Sequence, residues 1–162
     1  MKNNDYEVRI LSSLRRVIRS VDIYSKKLNT ELGLTTPQLL CLHALAKSEN
    51  MILTDLAREV NLGVSTVNGI IDRLEAKHLL TRNRSAEDRR KVSLEISFTG
   101  KEIIAKAPSL LQDKLSASLS ELSDSEQLAI TESLELVVKL MEAEKIDASP
   151  NLFPGDHAAS DG

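Results

Sequence analysis

Between Thr54 and Gly100 the chain gathers the side chains best able to recognise another molecule: hydroxyls at Ser65 and Thr66, an amide at Asn68 and a guanidinium at Arg73. A second, basic group follows at Arg82, Arg84, Arg89, Arg90 and Lys91. Hydroxyl, amide and guanidinium groups near the start of a helix are the groups that reach base edges in the DNA major groove, and Ser and Thr also bond phosphates. Asn68 could pair with an adenine edge, while Gly69 would let the backbone approach closely without reading a base. Long planar cations such as Arg89 and Arg90, at the tip of a hairpin, suit a narrow minor groove. Arg82, Arg84 and Lys91 would neutralise phosphates. The chemistry on offer is binding to double-stranded DNA.

No competing chemistry matches it. His43, His78 and His157 form no metal-ligand pair at helical or hairpin spacing, so no metal is expected. There is no phosphate-cradling glycine loop, no nucleophile elbow and no Cys/His catalytic arrangement, so neither catalysis nor a cofactor is expected. Cys41 lies among Leu39, Leu40, Leu42 and Leu45 and reads as a buried thiol.

The elements that would position these groups follow from periodicity. Tyr6, Ile10, Leu14, Val17, Val21, Tyr24 and Leu28 make one apolar face of a long helix, ended by Gly33. A second helix opens at Thr36-Pro37, with Thr36 as its cap. Met51 to Leu53 would form a small strand that pairs with a later hairpin. Thr54 would cap a third helix, Asn61-Leu62-Gly63 would make the turn, and Ser65 would cap a fourth helix that buries Val67, Ile70, Ile71 and Leu74. Alternation at Leu79–Arg82 and Val92–Ile96 predicts a two-stranded wing around the loop from Asn83 to Lys91. Pro108 should kink or divide the next helical stretch, and Ser123-Asp124-Ser125-Glu126 is a capping box opening the last one. The expected fold is mainly α: a winged helix-turn-helix with long terminal dimerisation helices. Its parts would be an N-terminal dimerisation helix at 1–34, a DNA-binding region at 35–100, C-terminal dimerisation helices at 101–146 and a flexible tail at 147–162.

Composition agrees. Aromatic residues make up only 2% of 162, so the core must be aliphatic, which favours helix packing. No apolar run could span a bilayer, a charged N-terminus argues against secretion, and a single cysteine fits the cytoplasm. The net charge of −3 is at first sight unsuited to DNA, but from Asp113 onward only Lys114, Lys139 and Lys145 oppose a run of acids, whereas Arg82 to Lys91 is basic. The apolar faces of the first and last helices exceed what a small DNA-binding core needs, so they should pair with a second copy of the chain.

The run Leu56-Ala57, Ser65-Thr66-Val67, Ile71-Asp72-Arg73-Leu74-Glu75, Leu79-Leu80, Asp88-Arg89-Arg90 and Ile96 to Gly100 resembles the MarR family of transcription regulators. Asp88 to Arg90 match its Asp-x-Arg wing motif. Ile96, Ser97 and Gly100 fall in register with its Leu-Thr-x-x-Gly stretch. The resemblance implies a homodimeric repressor on a pseudo-palindromic operator, with half-sites about 10 base pairs apart. It implies release by a small anionic or phenolic effector, which would change the spacing of two reading heads. It places the minor-groove arginine at Arg90, supported by Asp88 and by an ion pair to Asp72. By family analogy a ligand pocket would involve Tyr24, Leu28 and His43. Cysteine-based oxidant sensors of the family use a first-helix cysteine, a position Cys41 does not match. Gly69 stands where many members carry Arg or Lys, and His78 replaces a common Gly before the wing. The alternative is a protein-interaction module on the same scaffold that has lost DNA binding.

Overall fold

Leu28, Leu34, Leu39, Leu42, Leu56, Ile71, Leu74, Leu80 and Leu94 are fully buried, an aliphatic core assembled from several short elements. The computed structural model describes residues 3–88, 90–146, 148 and 150–154. Helix α1 spans Asn3–Leu32 and α2 Thr36–Lys47. Strand β1 is Met51–Ile52, followed by α3 at Leu53–Glu59 and α4 at Val64–Ala76. The wing strands are β2, Leu80–Arg84, and β3, Val92–Ile96, and α5, α6 and α7 follow at Phe98–Lys106, Leu111–Ser120 and Asp124–Leu140. The chain divides after Pro108 into two compact units, the second running from Ser109 to Asn151. The wing, both helices of the helix-turn-helix and α5 belong to the first. The expected tail falls largely outside the described residues.

Three helix starts are shifted from the sequence expectation. Thr35, not Thr36, caps α2: its side chain accepts from the Gln38 amide, and the Gln38 side chain accepts from the Thr35 amide. Thr36 is thereby freed for the core, where it lies 3.4 Å from the Ser25 hydroxyl. Helix α3 is preceded by Ile52, so Thr54 lies inside its first turn; α4 is preceded by Gly63, so Ser65 is helical. Neither start has a side-chain cap; tertiary packing, through buried Leu56 and Ala57 in α3 and Val67, Ile70, Ile71 and Leu74 in α4, holds these helices instead.

Left-handed residues turn the chain at the corners. Gly33 ends α1 at φ 63°, Asn61 makes the helix-turn-helix turn at φ 53°, and His78 ends α4 at φ 58°. The expected small strand is present: β3 is central, with Met51 paired to Leu94 on one side and Leu80 to Ile96 on the other. Ser97 joins the wing to α5. Its amide donates to the Leu79 carbonyl, its hydroxyl donates to the His78 carbonyl, and the same oxygen caps α5 by accepting from the Gly100 amide. The sheet edge, the end of α4 and the start of α5 therefore share one corner. A Cβ at Gly100 would overlap the Leu79 carbonyl, which explains a glycine there. Pro108, at the end of the first unit, has divided the helical stretch as expected, and in the second unit Ser123 and Glu126 form the capping box of α7.

These corners make opposite predictions for two glycines. Gly100→Ala should lower unfolding stability by about 3 kcal/mol or more, through overlap with backbone that cannot yield. Gly69→Ala, where an added Cβ meets nothing within 4 Å, should raise it by up to about 1 kcal/mol. Chemical denaturation of both variants checks the pair. At His78, a glycine would relieve the left-handed strain, so His78→Gly should stabilise by on the order of 0.5 kcal/mol.

Candidate nucleic-acid interface

Helix α4 turns its apolar stripe, Val67, Ile70, Ile71 and Leu74, into the core. Helical geometry then puts Ser65, Gly69 and Asp72 along the opposite crest, Thr66 and Arg73 on one flank, and Asn68 and Glu75 on the other. Ser65, Thr66, Asn68 and Arg73 are all exposed, so the residues expected to read bases share the outward side of one helix.

The wing beside it is braced at its tip. Ser85 Oγ accepts from the amides of Glu87 and Asp88, the Asp88 carboxylate accepts from the Arg90 amide at 3.0 Å, and the Lys91 amide donates to the Asp88 carbonyl. Asp88 thus shapes the tip. Along the ribbon, Asn83 Nδ2 donates to Glu95 at 2.8 Å. Arg84, Arg90 and Lys91 are exposed on this frame, and Arg89 lies outside the described residues.

Arg82 departs from expectation. Its guanidinium turns back onto α4, with Nη2 donating to Asp72 at 2.7 Å and to Asn68 Oδ1 at 3.4 Å, while Nη1 donates to Glu75. Asp72 therefore pairs with Arg82 and not with Arg90, because β2 carries Arg82 alongside α4 whereas Arg90 sits at the far tip. Partial burial works against the charge on Arg82, but the hydrogen bonds it donates to Asp72 and Glu75, with their negative charges, outweigh it and hold the guanidinium above its ordinary pKa. The sequence did contain the signal: Asn68, Asp72 and Glu75 fall at helical spacing on one stripe, open to a cation from the neighbouring strand.

The remaining candidates lie elsewhere in the first unit. Tyr24 and Leu28 are buried on α1, with the Tyr24 hydroxyl 3.3 Å from the Pro108 carbonyl, and His43 is half-buried on α2. Cys41 is fully buried. Loss of solvent pushes its thiol from the ordinary 9.0 up to about 12, so the reactive thiolate is scarce at neutral pH.

An outward-facing second helix beside a basic two-stranded wing defines a winged helix-turn-helix transcription regulator. A family model described as the MarR family matches residues 34–92. The uncharacterized HTH-type transcriptional regulator YfiV of Bacillus subtilis is 30% identical over 115 residues, 71% of this chain and 72% of that protein. The HTH-type transcriptional repressor MdtR of the same organism is 27% identical over 128 residues, covering 76% of this chain and 78% of its own. Among solved structures, the S. aureus MepR–DNA complex shares the fold at a TM-score of 0.57 and 20% identity, over 84% of this chain and 96% of that one. The chain belongs to the MarR family.

The Cys41 environment predicts that thiol reagents label the native protein only after denaturation. The folded pKa is raised, so the proton-linked stability is full below about pH 9 and is lost as pH rises towards 12. Stability measured across that alkaline window should fall less steeply in Cys41→Ala than in the parent.

Proposed function

We propose that the chain acts as a homodimer that represses transcription by occupying a pseudo-palindromic operator. The observation that carries this reading is the outward side of α4, with Ser65 and Gly69 on its crest and Thr66 on its flank, set beside a braced wing that exposes Arg84, Arg90 and Lys91. Charge distribution supports it. Residues 109–151 hold nine acids against three lysines, a net −6; with the whole chain at −3, the remainder carrying the interface stands at +3. A phosphate backbone would meet the positive unit.

Dimerisation is supported by apolar side chains left in solvent. On α1, Tyr6, Ile10 and Val17 are 60%, 52% and 58% exposed, although they share a face with buried Tyr24 and Leu28. On α7, Leu128, Leu134 and Leu136 are exposed to a similar degree. Rows of this kind mark a missing partner, and a two-fold pair of chains would present two α4 helices to half-sites about one DNA turn apart. Repression is supported by the kinship with MdtR. A small phenolic or anionic effector, acting near Tyr24, Leu28 and His43, would release DNA by shifting the dimer towards a spacing that does not match the operator. No helix among the described residues is long and apolar enough to cross a membrane, and the site of action would be the cytoplasm.

Selection of bound duplexes from a random library tests the reading. The expected outcome is a two-fold-symmetric motif, weakened by Arg90→Ala, with affinity falling steeply as salt is raised. A folded dimer that enriches no sequence at low salt would point instead to a protein-interaction module.

A further inference from the structure

Charge separates the two helices that expose apolar rows. On α1 the stretch from Arg9 to Lys27 holds six cations, Arg9, Arg15, Arg16, Arg19, Lys26 and Lys27, against Asp22 alone, a net +5. On α7 four acids, Asp124, Glu126, Glu132 and Glu135, oppose Lys139, a net −3. All of these side chains are exposed. Among the described residues the ion pairs are Arg58–Asp55, Arg82–Asp72 and Arg82–Glu75, and none uses a charge of α1 or α7. The charges border the apolar rows. Residues three or four apart are neighbours on a helix surface, so Arg15 adjoins exposed Leu11 and Ile18, with Arg19 one turn on. Glu132 lies between exposed Leu128 and Leu136, and Glu135 adjoins Val138. A groove along α7 is lined by Leu134, Leu136 and Val138 with three carboxylates, Glu132, Glu135 and Glu144, against the one cation Lys139. No residue of α7 is buried, so the helix brings no finished core of its own. Lengths match as well: the exposed apolar stretch of α1, Tyr6 to Ile23, is about 27 Å long and the 17 residues of α7 about 26 Å.

We propose that α1 of one chain docks along α7 of a second copy, the arginines beside the α1 apolar row meeting the carboxylates beside the α7 row. This rests on the homodimer reading above and adds which helix meets which. Apolar contact supplies most of the affinity, and charge chooses the pairing. Pairing each helix with its own copy would set a net +5 against +5, or −3 against −3, and like charges facing each other across an interface weaken it. Two-fold symmetry makes the α1–α7 seam twice.

Analytical ultracentrifugation of the full-length chain tests the pairing. Between low and physiological salt the parent's dimer dissociation constant should rise, because screening weakens attraction. Helices paired with their own copies would tighten instead, as their repulsion is screened. Arg15→Glu with Arg19→Glu, and separately Glu132→Lys with Glu135→Lys, should each weaken dimerisation by roughly 10- to 100-fold at low salt. All four changes together should restore it. Self-paired helices would respond to neither double variant in this way, since reversing one helix leaves like facing like. A parent dimer that tightens over this salt range, or double variants that dimerise as the parent does, would overturn the proposal. So would a loss of DNA binding in Arg15→Glu with Arg19→Glu at unchanged dimerisation, which would assign these cations to DNA. Should a variant lose its helical circular dichroism, the salt response of the parent still decides. A parent that stays monomeric at every concentration ends the homodimer reading itself, a failure distinct from a dimer paired otherwise.

Discussion

Arg82 ties the wing to the recognition helix through a fork of side-chain hydrogen bonds. It leaves β2 and reaches three side chains on a single stripe of α4, Asn68, Asp72 and Glu75. Exposed ion pairs contribute little to stability, but this guanidinium is only 27% exposed and its planar fork has several partners at once. Its main effect is geometric: the strand that carries Arg84 cannot shift along α4 without breaking those bonds. Without Arg82, two carboxylates would stand together on a helix that must approach a polyanion. The position of the wing and the electrostatics of α4 therefore have a common origin.

The other end of α4 is held by different means. The Lys77 ammonium donates to the Gly33 carbonyl, joining the end of α1 to the end of α4. One residue later, His78 turns left-handed and its carbonyl accepts from Ser97. Lys77 and Ser97 thus link α4 to the helix that exposes an apolar face and to the helix that follows the wing.

Acids concentrated in one unit also reconcile the composition with the function. A net charge of −3 describes the chain and no surface on it. At physiological ionic strength charges act over about 8 Å, so in the proposed binding mode a DNA backbone at the wing would respond chiefly to the charges beside it, Arg84, Arg90 and Lys91. A regulator can be acidic overall and still bind DNA when its charges are partitioned in this way.

Much of this was legible in the sequence. Local signals located the buried face of α4 residue for residue, the division at Pro108 and the capping box at Ser123, because these depend on neighbours a few positions apart or on steric rules of single residues. The motif at Asp88–Arg90 and the glycine at position 100 carried the family. Tertiary structure decided what depends on residues distant in sequence. Thr35 displaced Thr36 as a cap because the core claimed Thr36, and α3 and α4 began without side-chain caps because packing held them. Arg82 turned onto α4, and Asp72 took it in place of Arg90, because strand register set which arginine lies alongside the helix. A sequence records which charges exist; only the folded chain brings one arginine to 2.7 Å from a carboxylate and leaves another in solvent.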